Sequence, residues 1–290
     1  MLEKKAMPAA APQLSERHFR SIAEFIETQI GIRLPAAKRL MLEGRLQKRA
    51  RALRHSNLDE YVEHLFSGRH PETEMVHLID CVTTNKTDFY REPSHFDFLS
   101  EVAVPEIVGR PVRKGGLLKV WSAAASTGME AYTAAIALDD LVKQGLQFQF
   151  RILGTDISTN VLRIAKTGIY TQEMVAPVPP MLRKRYFMSS RDPARGEVRV
   201  VPELRKLVNF MRLNLMEPVY PIDRDVDIIF CRNVLIYFDK ATQRKVVDRL
   251  CTHLRPGGYL MVGHSESMVH QGTVGLRQVQ PTIFRNENRS

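Results

Sequence analysis

One short stretch, TTNKTDFYREP at residues 83–93, carries an unusual set of functional groups. An amide (Asn85), a hydroxyl (Thr87) and a guanidinium (Arg91) surround the aromatic pair Phe89–Tyr90. The stretch is too polar for a core segment and too aromatic for an ordinary linker. By itself it indicates either a segment that contacts a ligand or a capped linker between domains with a surface arginine.

Polar or small residues also lie at the ends of three apolar runs whose pattern predicts buried strands. SAAASTGMEAYT ends the run over residues 117–123, Asp156 ends the run over 148–157, and Arg232–Asn233 ends the run over 226–233. Ligands of open parallel sheets bind at the carboxyl ends of the strands. Small residues in the first turn permit a close approach of the backbone to a ligand. A carboxylate such as Asp156 can accept hydrogen bonds from ribose hydroxyls.

Each strand end also has an ordinary structural explanation. The first is consistent with a tight strand–helix turn, and Asp156 is consistent with the N-cap of a helix over residues 158–166. Neither G-x-G-x-x-G nor a phosphate loop of the G-x-x-x-x-G-K-[ST] type occurs in the chain. Together the strand ends favour a nucleoside-bearing cofactor without a polyphosphate, with S-adenosylmethionine first and NAD second.

The first third of the chain must supply helices. Residues 15–82 pattern as an all-α domain that begins with ERHFRSIAEFIETQI, which Ser15 can cap and Gly31 can end. Residues 83–116 predict a linker and a connecting helix that begins at Pro93. The sequence GRPVRKGG then marks the strongest boundary in the chain.

Beyond that boundary, strands alternate with helices over residues 117–290. This alternation predicts an α/β fold, with a parallel sheet covered by helices on both faces. An insertion at about 168–213 is not required by the alternating fold, and it predicts strands over Glu197–Val201 and Val208–Leu213.

Composition narrows the class of protein further. The chain has 290 residues, of which 44% are hydrophobic and 26% charged, and a net charge of +10, which predicts an acidic partner. Cys81, Cys231 and Cys251 form neither a zinc pattern nor a disulfide framework, so we expect a reducing cytoplasm and no metal site. No apolar run is long enough for a transmembrane helix. The Ala- and Pro-rich start predicts a disordered lead-in over residues 1–14.

The order of several motifs resembles one known family. TTNKTDFYRE, VWSAAASTG, GTDIS with VLRIAKTGIY, NL at 214–215, and IIFCRNVLIYFD with LRPGGYLMVGHSES are similar to the motif series of the CheR family. These chemotaxis methyltransferases esterify glutamates of chemoreceptors. The resemblance implies a Rossmann-like class I methyltransferase sheet with a small β-subdomain insertion, preceded by an all-α N-terminal domain. It also implies that the segment 83–93 joins the domains and folds over bound S-adenosylmethionine.

The resemblance also implies a set of site residues. Arg91 would lie near the carboxylate of the cofactor, Asp156 would hold its ribose, and Asn214 and Leu215 would lie along its adenine. The whole implied cofactor set is Asn85, Thr87, Arg91, Ala123, Met129, Asp156, Asn214, Leu215, Arg232 and Asn233. Where the family carries two acids, this chain has Met129–Glu130, and the first acid helps to hold the ammonium group. The departure therefore concerns the affinity for the cofactor more than its identity.

The implied chemistry requires little from side chains. A glutamate carboxylate is ionised at neutral pH and can attack a methyl sulfonium without a general base. Arg91 and Tyr237 are our candidates for positioning the reactants, although Tyr237 is equally consistent with a core aromatic residue. His264 is more consistent with a structural hydrogen bond than with a base.

The resemblance implies a chemoreceptor as partner and a cytoplasmic protein recruited to receptor arrays; we expect a monomer. The basic residues Lys38, Arg45, Lys48 and Arg49 of the second helix would grip acidic receptor helices, unless that face is only solvated. The β-subdomain would dock a receptor C-terminal peptide, unless it only supports the sheet. A nucleic-acid methyltransferase is the alternative that the charge favours, but no N-P-P-[YFW]-like motif follows the late strand. A non-catalytic module that binds the cofactor is favoured by Met129 alone.

Overall fold

The computed structural model describes residues 14–68, 72–109, 116–266 and 275–288. Contacts between Cα atoms divide the chain into one unit that ends at Thr83 and another that begins at Thr84. The predicted disordered lead-in falls, except for Leu14, outside the described residues. Within those residues, no helix has both the length and the apolar character needed to cross a membrane.

The N-terminal unit consists of helices, as the sequence pattern predicts. They are α1 (Glu16–Ile30), α2 (Arg39–Ala52), which follows a 3-10 turn, α3 (Leu58–Phe66) and α4 (Glu72–Val82). Ser15 caps α1 by accepting a hydrogen bond from the backbone N–H of His18 at 3.3 Å, and Gly31 ends it with φ 72°. The apolar residues at helical spacing are buried; in α1 these are Phe19, Ile22, Ile26 and Ile30.

The second unit contains a seven-stranded sheet. Its strands are β1 (Leu117–Ala123), β2 (Gln149–Asp156), β6 (Val208–Arg212), β7 (Val226–Cys231), β8 (Leu254–Val262), β9 (Leu276–Gln280) and β10 (Ile283–Asn286). Their order is β6-β2-β1-β7-β8-β10-β9. In this order, the pairs β6–β2, β2–β1, β1–β7 and β7–β8 are parallel, whereas β10 pairs antiparallel with both β8 and β9. The predicted α/β fold with a mainly parallel sheet is confirmed.

The helices of the second unit include two that precede β1 and others that alternate with the strands as predicted. They are α5 (Ser94–Phe98), α6 (Val104–Val108), α7 (Met129–Lys143), α8 (Thr159–Thr167), α9 (Pro180–Tyr186), α10 (Pro202–Arg205) and α11 (Lys240–His253). A π-helical turn over Leu99–Ala103 joins α5 to α6. Phe96 of α5 stacks on Phe230 of β7, with ring centroids 5.6 Å apart. The helical segment after the TTNKTDFYREP stretch is therefore packed against the sheet.

The second half of the insertion differs from the prediction. Val208–Arg212 is not a strand of the β-subdomain; it is β6, and it pairs in parallel with β2 from Ile152↔Val208 to Asp156↔Arg212. The small sheet consists of β3 (Ile169–Thr171), β4 (Phe187–Ser189) and β5 (Glu197–Val200), in the order β3-β5-β4. The local pattern of an edge strand is the same in a hairpin and in a parallel sheet, so it could not distinguish the two partners.

The sequence RPGG, residues 255–258, lies within β8 and not before it. Leu254 pairs with Val226 and Tyr259 pairs with Ile228, so residues 255–258 bulge out between the two pairs. Asn286 Nδ2 donates to Leu254 O at 2.8 Å and to Arg255 O at 3.2 Å, and it thereby holds the start of this bulge. The regular part of β8 runs parallel to β7 as far as Val262.

Candidate functional site

The carboxyl ends of the central strands meet at one edge of the sheet. Ala123 at the end of β1 pairs with Thr155 of β2 and with Cys231 of β7. Asp156 pairs with Arg212 at the end of β6. The residues that follow these strands, which the sequence predicted as a ligand site, therefore share one edge.

Asp156 is held by backbone groups on both carboxylate oxygens. Its Oδ2 accepts a hydrogen bond from the N–H of Ser126 at 2.8 Å, and its Oδ1 accepts one from the N–H of Ser158 at 2.9 Å. Ser158, and not Asp156, is the N-cap of α8, since its Oγ accepts from the N–H of Val161. The simple helix-cap explanation for Asp156 is therefore wrong. The buried carboxylate ties the β1–α7 turn to the end of β2.

The stretch at 83–93 lies against this edge. Ser126 Oγ donates to Asn85 O at 2.8 Å, and the backbone N–H of Tyr90 donates to Thr133 Oγ1 at 3.2 Å. Phe89 is 1% exposed, and its ring meets the ring of Tyr170 edge-on at 5.0 Å. The aromatic residues therefore anchor the stretch. Thr87 and Arg91, which belong to the same stretch, are half-buried. Arg91 Nη1 donates to Lys86 O at 3.1 Å, a contact within the stretch itself.

Unfavourable backbone conformations concentrate at the same edge. Tyr90, Glu92, Ala124, Ser126 and Asn233 have φ of 53°, 53°, 64°, 50° and 58°. Each left-handed non-glycine residue costs on the order of 1–3 kcal/mol, and such residues cluster at functional sites. The surrounding hydrogen bonds hold these residues in place and so define the edge as a preorganised site.

Arg232 connects the stretch to the β1–α7 turn. The side chain is 1% exposed; its Nη2 lies 3.1 Å from Glu92 Oε2, and its Nη1 lies 3.1 Å from Glu130 Oε2. It also donates to Arg91 O and lies over the Phe96 ring, 5.4 Å from the centroid. Among the described atoms, Arg232 Nε is buried without a hydrogen-bond partner. A buried cation between two carboxylates therefore organises the site.

The two carboxylates respond differently to their surroundings. Burial by itself would raise the pKa of Glu92, but Arg232 and the hydrogen bonds from Asn233 and Arg232 hold that pKa below its ordinary value. Burial raises the pKa of Glu130, and the charge of Arg232 and the hydrogen bonds from Ser122 and Arg232 offset this only in part. Glu92 is therefore the firmly ionised partner of Arg232.

Asn233 is fixed by a second buried acid. Glu266 is 3% exposed, and its Oε2 accepts hydrogen bonds from the N–H groups of Asn233 at 2.8 Å and Gly263 at 2.7 Å. A Cβ on Gly263 would lie 2.5 Å from Asn233 Nδ2, so this position requires glycine. Asn233 Nδ2 donates to Glu92 Oε1 at 3.1 Å. Arg232 and Asn233 thus both meet Glu92.

His95 and His264 also lie close to Glu92. His95 Nδ1 is 3.6 Å from Glu92 Oε2, and His264 Nε2 is 3.9 Å from the same oxygen. Burial, with the nearby Arg232 charge, lowers the pKa of His95 to about 4, so its ring is neutral at pH 7. The backbone N–H of His264 faces Glu92 Oε1 at 3.4 Å, consistent with the structural role expected for His264.

Met129 and Glu130 diverge at the start of α7. Met129 is 4% exposed and belongs to the hydrophobic core of the unit. Glu130 Oε1 accepts a hydrogen bond from Ser122 Oγ at 2.7 Å, while its other oxygen meets Arg232. Glu130 is therefore committed to protein partners, and Met129 offers only a thioether and a backbone.

The remaining predicted site residues lie close in sequence to the strand ends. Asn214 follows β6, and its Oδ1 accepts a hydrogen bond from the N–H of Met216 at 3.0 Å. Leu215 is buried, and its carbonyl accepts from Tyr220 Oη at 2.8 Å. Tyr237 is half-buried in a 3-10 turn after β7.

Two of the basic side chains of helix α2 form their hydrogen bonds within the N-terminal unit. Arg49 meets the buried Glu74 through two bonds of 2.9 and 2.6 Å, and Arg45 Nη1 donates to Cys81 O and Thr83 O, at the end of α4. Lys38 is half-buried, whereas Lys48 is exposed and forms no ion pair with a described residue. Of the predicted receptor-binding set, Arg45 and Arg49 therefore hold α2 to α4.

A separate basic cavity runs along α8. Its volume is about 480 Å³, and it is lined by Thr159, Leu162, Arg163, Lys166, Thr167, Arg199 and Arg212. Its four cations form no ion pair with any residue that the structure describes, so they contribute an open positive surface. None of the predicted site residues lines this cavity.

Several site residues were not predicted from the sequence. Glu92 lies in the TTNKTDFYREP stretch, His95 lies just after it, and Glu266 lies in GHSES. The hydrogen-bond partners of Glu92 and His95 are more than a hundred residues away, and the spacing between Glu266 and its partner Asn233 matches no recognisable motif. The sequence offered one signal for Glu92, which is that it directly follows the predicted site residue Arg91.

Comparisons with known proteins agree with this geometry. Residues 85–283 match the model described as "CheR methyltransferase, SAM binding domain", and residues 17–83 match "CheR methyltransferase, all-alpha domain". "Chemotaxis protein methyltransferase 2" of Pseudomonas aeruginosa is 38% identical over 92% of this chain and 91% of its own. "Chemotaxis protein methyltransferase" of Escherichia coli is 40% identical over 89% and 86%. The chain therefore belongs to the CheR methyltransferase family, and its second unit is an S-adenosylmethionine-binding domain.

Proposed function

We propose that this protein transfers the methyl group of S-adenosylmethionine to glutamate side chains of chemoreceptors and so forms methyl esters. The observation that carries the proposal is the convergence of Asp156, the β1–α7 turn and the stretch at 83–93 on one sheet edge. The names of the relatives, which are chemotaxis protein methyltransferases, support the receptor as substrate.

The residues at the edge fit the nucleoside half of the cofactor. Asp156 is an acceptor fixed by two backbone N–H groups, and a ribose diol presents donors. The turn beside it is built of Ala124, Ala125 and Ser126, whose small side chains let a ligand approach the backbone. Thr127 Oγ1 is buried there and has no hydrogen-bond partner among the described atoms. Asn214 and Leu215, which follow β6, would contact the adenine.

The methionine half would be held by charged and amide groups of the stretch. Arg91 is the proposed partner of its carboxylate, because a guanidinium forms paired bonds to such a group. Asn85 and Thr87 would add hydrogen bonds. Since Glu130 is engaged by Arg232 and Ser122, the ammonium group would rely on backbone carbonyls near Ala123 and Met129.

The chemistry places its demands on position. When bound, S-adenosylmethionine supplies an electrophilic methyl group. A substrate glutamate is ionised at neutral pH and needs no base, so the protein must align and desolvate it. Arg91 and Tyr237 are the proposed positioning groups. The buried Glu92–Arg232–Asn233 cluster would keep this side of the site rigid.

The receptor would meet the N-terminal unit through the exposed part of α2. Lys48 and Arg51 lie three residues apart on one helical face, are exposed, and form no ion pair with described residues. An acidic receptor helix would complement this face. In the three-stranded sheet, β4 is an edge strand that carries the exposed Met188 (41%) and follows α9, which carries the exposed Met181 (75%); such an edge suits addition of a receptor peptide. We propose a monomer that acts in the cytoplasm at receptor arrays.

The deciding experiment uses labelled cofactor with receptor-containing membranes in one reaction and RNA in another. Base-labile label on receptor glutamates is the expected result. Base-stable label on RNA would instead indicate a nucleic-acid methyltransferase, and cofactor binding without transfer would indicate a non-catalytic module. Family membership favours neither alternative.

A further inference from the structure

Glu92, His95 and His264 form a cluster of metal-binding groups. One ligand atom from each residue lies within 4.8 Å of the other two. They come from the end of the TTNKTDFYREP stretch, from α5 and from the segment after β8. This arrangement is independent of the proposed methyl transfer, which uses none of the three as a nucleophile or base.

The hydrogen bonds determine which nitrogen of His95 is available. Thr282 Oγ1 donates its proton to Pro281 O at 2.6 Å, so it must accept from His95 Nε2 at 2.8 Å. The neutral His95 ring therefore carries its proton on Nε2, and its Nδ1 has a lone pair. His95 is 1% exposed, and Nδ1 is buried with no hydrogen-bond partner among the described atoms.

That lone pair faces another acceptor. Nδ1 of His95 and Glu92 Oε2 are 3.6 Å apart, and neither can donate a hydrogen bond to the other. His264 Nε2 is 3.9 Å from the same carboxylate oxygen. A tetrahedral ion with bonds of about 2.0–2.1 Å needs ligand atoms about 3.3 Å apart. The two distances to Glu92 exceed this value by a few tenths of an ångström, and the two histidine nitrogens lie within 4.8 Å of each other, so a movement of the exposed His264 ring would complete such a site.

We propose that Glu92, His95 and His264 bind one divalent transition-metal ion of the zinc class. Two imidazoles and one carboxylate are a donor set that suits such ions and not magnesium or calcium. His264 is 59% exposed, which gives the ion a path of entry and leaves a position open for water.

The charged groups around the cluster are compatible with the binding of a metal cation. Arg232 Nη2 lies 3.1 Å from the same Glu92 oxygen, so the site already holds one cation. The carboxyl groups of Glu92 and Glu130 both lie beside it. The hydrogen bond from His95 to Thr282 orients the ligand nitrogen, as the hydrogen-bond partners of ligating histidines do in established metal sites.

The test is a titration of the full-length protein with zinc ions against a chromophoric chelator. We expect one equivalent of zinc to bind to wild type, and His264→Gln to weaken that binding roughly ten- to a hundredfold. His77→Gln is the matched control, because His77 is an exposed histidine outside the cluster, and it should bind zinc as wild type does. Cobalt ions should give the visible absorption of a four-coordinate site in wild type and in His77→Gln but not in His264→Gln.

A second variant guards against misfolding. His95→Gln alters a buried ring and risks the fold, whereas Thr282→Val keeps the shape and removes the hydroxyl that accepts from His95 Nε2 and donates to Pro281 O. Thr282→Val should also lower the affinity for zinc roughly ten- to a hundredfold. Absence of zinc binding in wild type, or equal affinity in His264→Gln and wild type, would overturn the proposal. Neither result would bear on methyl transfer, which the labelled-cofactor assay measures separately.

Discussion

Glu92 Oε2 lies 3.1 Å from Nη2 of Arg232, and the two residues are 140 positions apart in the chain. The Arg232 side chain is 1% exposed and the Glu92 side chain 11%. Breaking a buried ion pair leaves a charge without compensation, which costs more than the pair contributes. This pair fastens the TTNKTDFYREP stretch to the end of β7.

Removing the charge of Glu92 should loosen that attachment. We expect Glu92→Gln to lower the free energy of unfolding by about 1.5–3 kcal/mol, the range for a hydrogen bond to a charged group. Urea denaturation measures the change. Asp88→Asn is the control, because Asp88 is an exposed acid of the same stretch. Equal stability of Glu92→Gln and wild type would show that Glu130 alone suffices for Arg232.

The proposed cofactor residues should affect binding strongly. Asp156→Asn and Arg91→Ala should each weaken S-adenosylmethionine binding by about 1.5–3 kcal/mol, since each removes a charge-assisted hydrogen bond. Calorimetric titration gives the affinity, and Glu203→Gln, at an exposed acid, serves as control. Wild-type affinity in both site variants would remove this assignment of the site.

The bidentate contact between Arg49 and Glu74 should stabilise the N-terminal unit. Arg49→Gln leaves the buried Glu74 carboxylate with only the hydroxyl of Tyr61, 2.8 Å from Oε1, as a hydrogen-bond donor among the described residues. We expect local stability to fall by about 1.5–3 kcal/mol, seen as faster hydrogen exchange in α2 and α4. Lys48→Gln changes the neighbouring exposed residue and should exchange as wild type does. Matching rates in both variants would mean that Arg49 contributes nothing.

The same contact predicts a loss of stability in acid. The hydrogen bond from Arg49 holds the pKa of Glu74 below its ordinary value, against the effect of burial. A lowered folded pKa adds stability above the unfolded pKa, and that stability is lost as pH falls through the folded value. Protection of α2 and α4 should therefore decrease below about pH 4.3 in wild type. Glu74→Gln should flatten this dependence; an unchanged slope would assign it to other acids.

The exposed end of α2 gives a test of receptor contact that spares the fold. Lys48→Glu combined with Arg51→Glu should lower receptor methylation about tenfold at low salt, with cofactor affinity unchanged, because an acidic partner would be repelled. The wild-type advantage should shrink as salt screens the charges. Arg17→Glu with Arg20→Glu on α1 makes the same change in net charge at exposed positions. Equal loss in both double variants would indicate a general charge effect.

The sequence by itself determined the central strands, most of the longer helices and the edge where the ligand residues gather. β1 spans the predicted residues 117–123, and the buried runs that end at Asp156 and at Arg232–Asn233 became β2 and β7. Hydrophobic periodicity and helix caps are local signals, and parallel strands must place their carboxyl ends together. The order of the motifs further indicated the family before any contact was known.

Only the tertiary structure decided which partner each group meets. β6 pairs with β2 in the main sheet, and Arg45 and Arg49 form hydrogen bonds with groups in α4. Glu92 lies next to Arg232, Asn233 and the two histidines. An edge strand has the same pattern whichever sheet accepts it, and a basic helical face looks alike whether it meets water or a buried acid. Such contacts join residues far apart in sequence, so their energies depend on burial and distance, which no local spacing records.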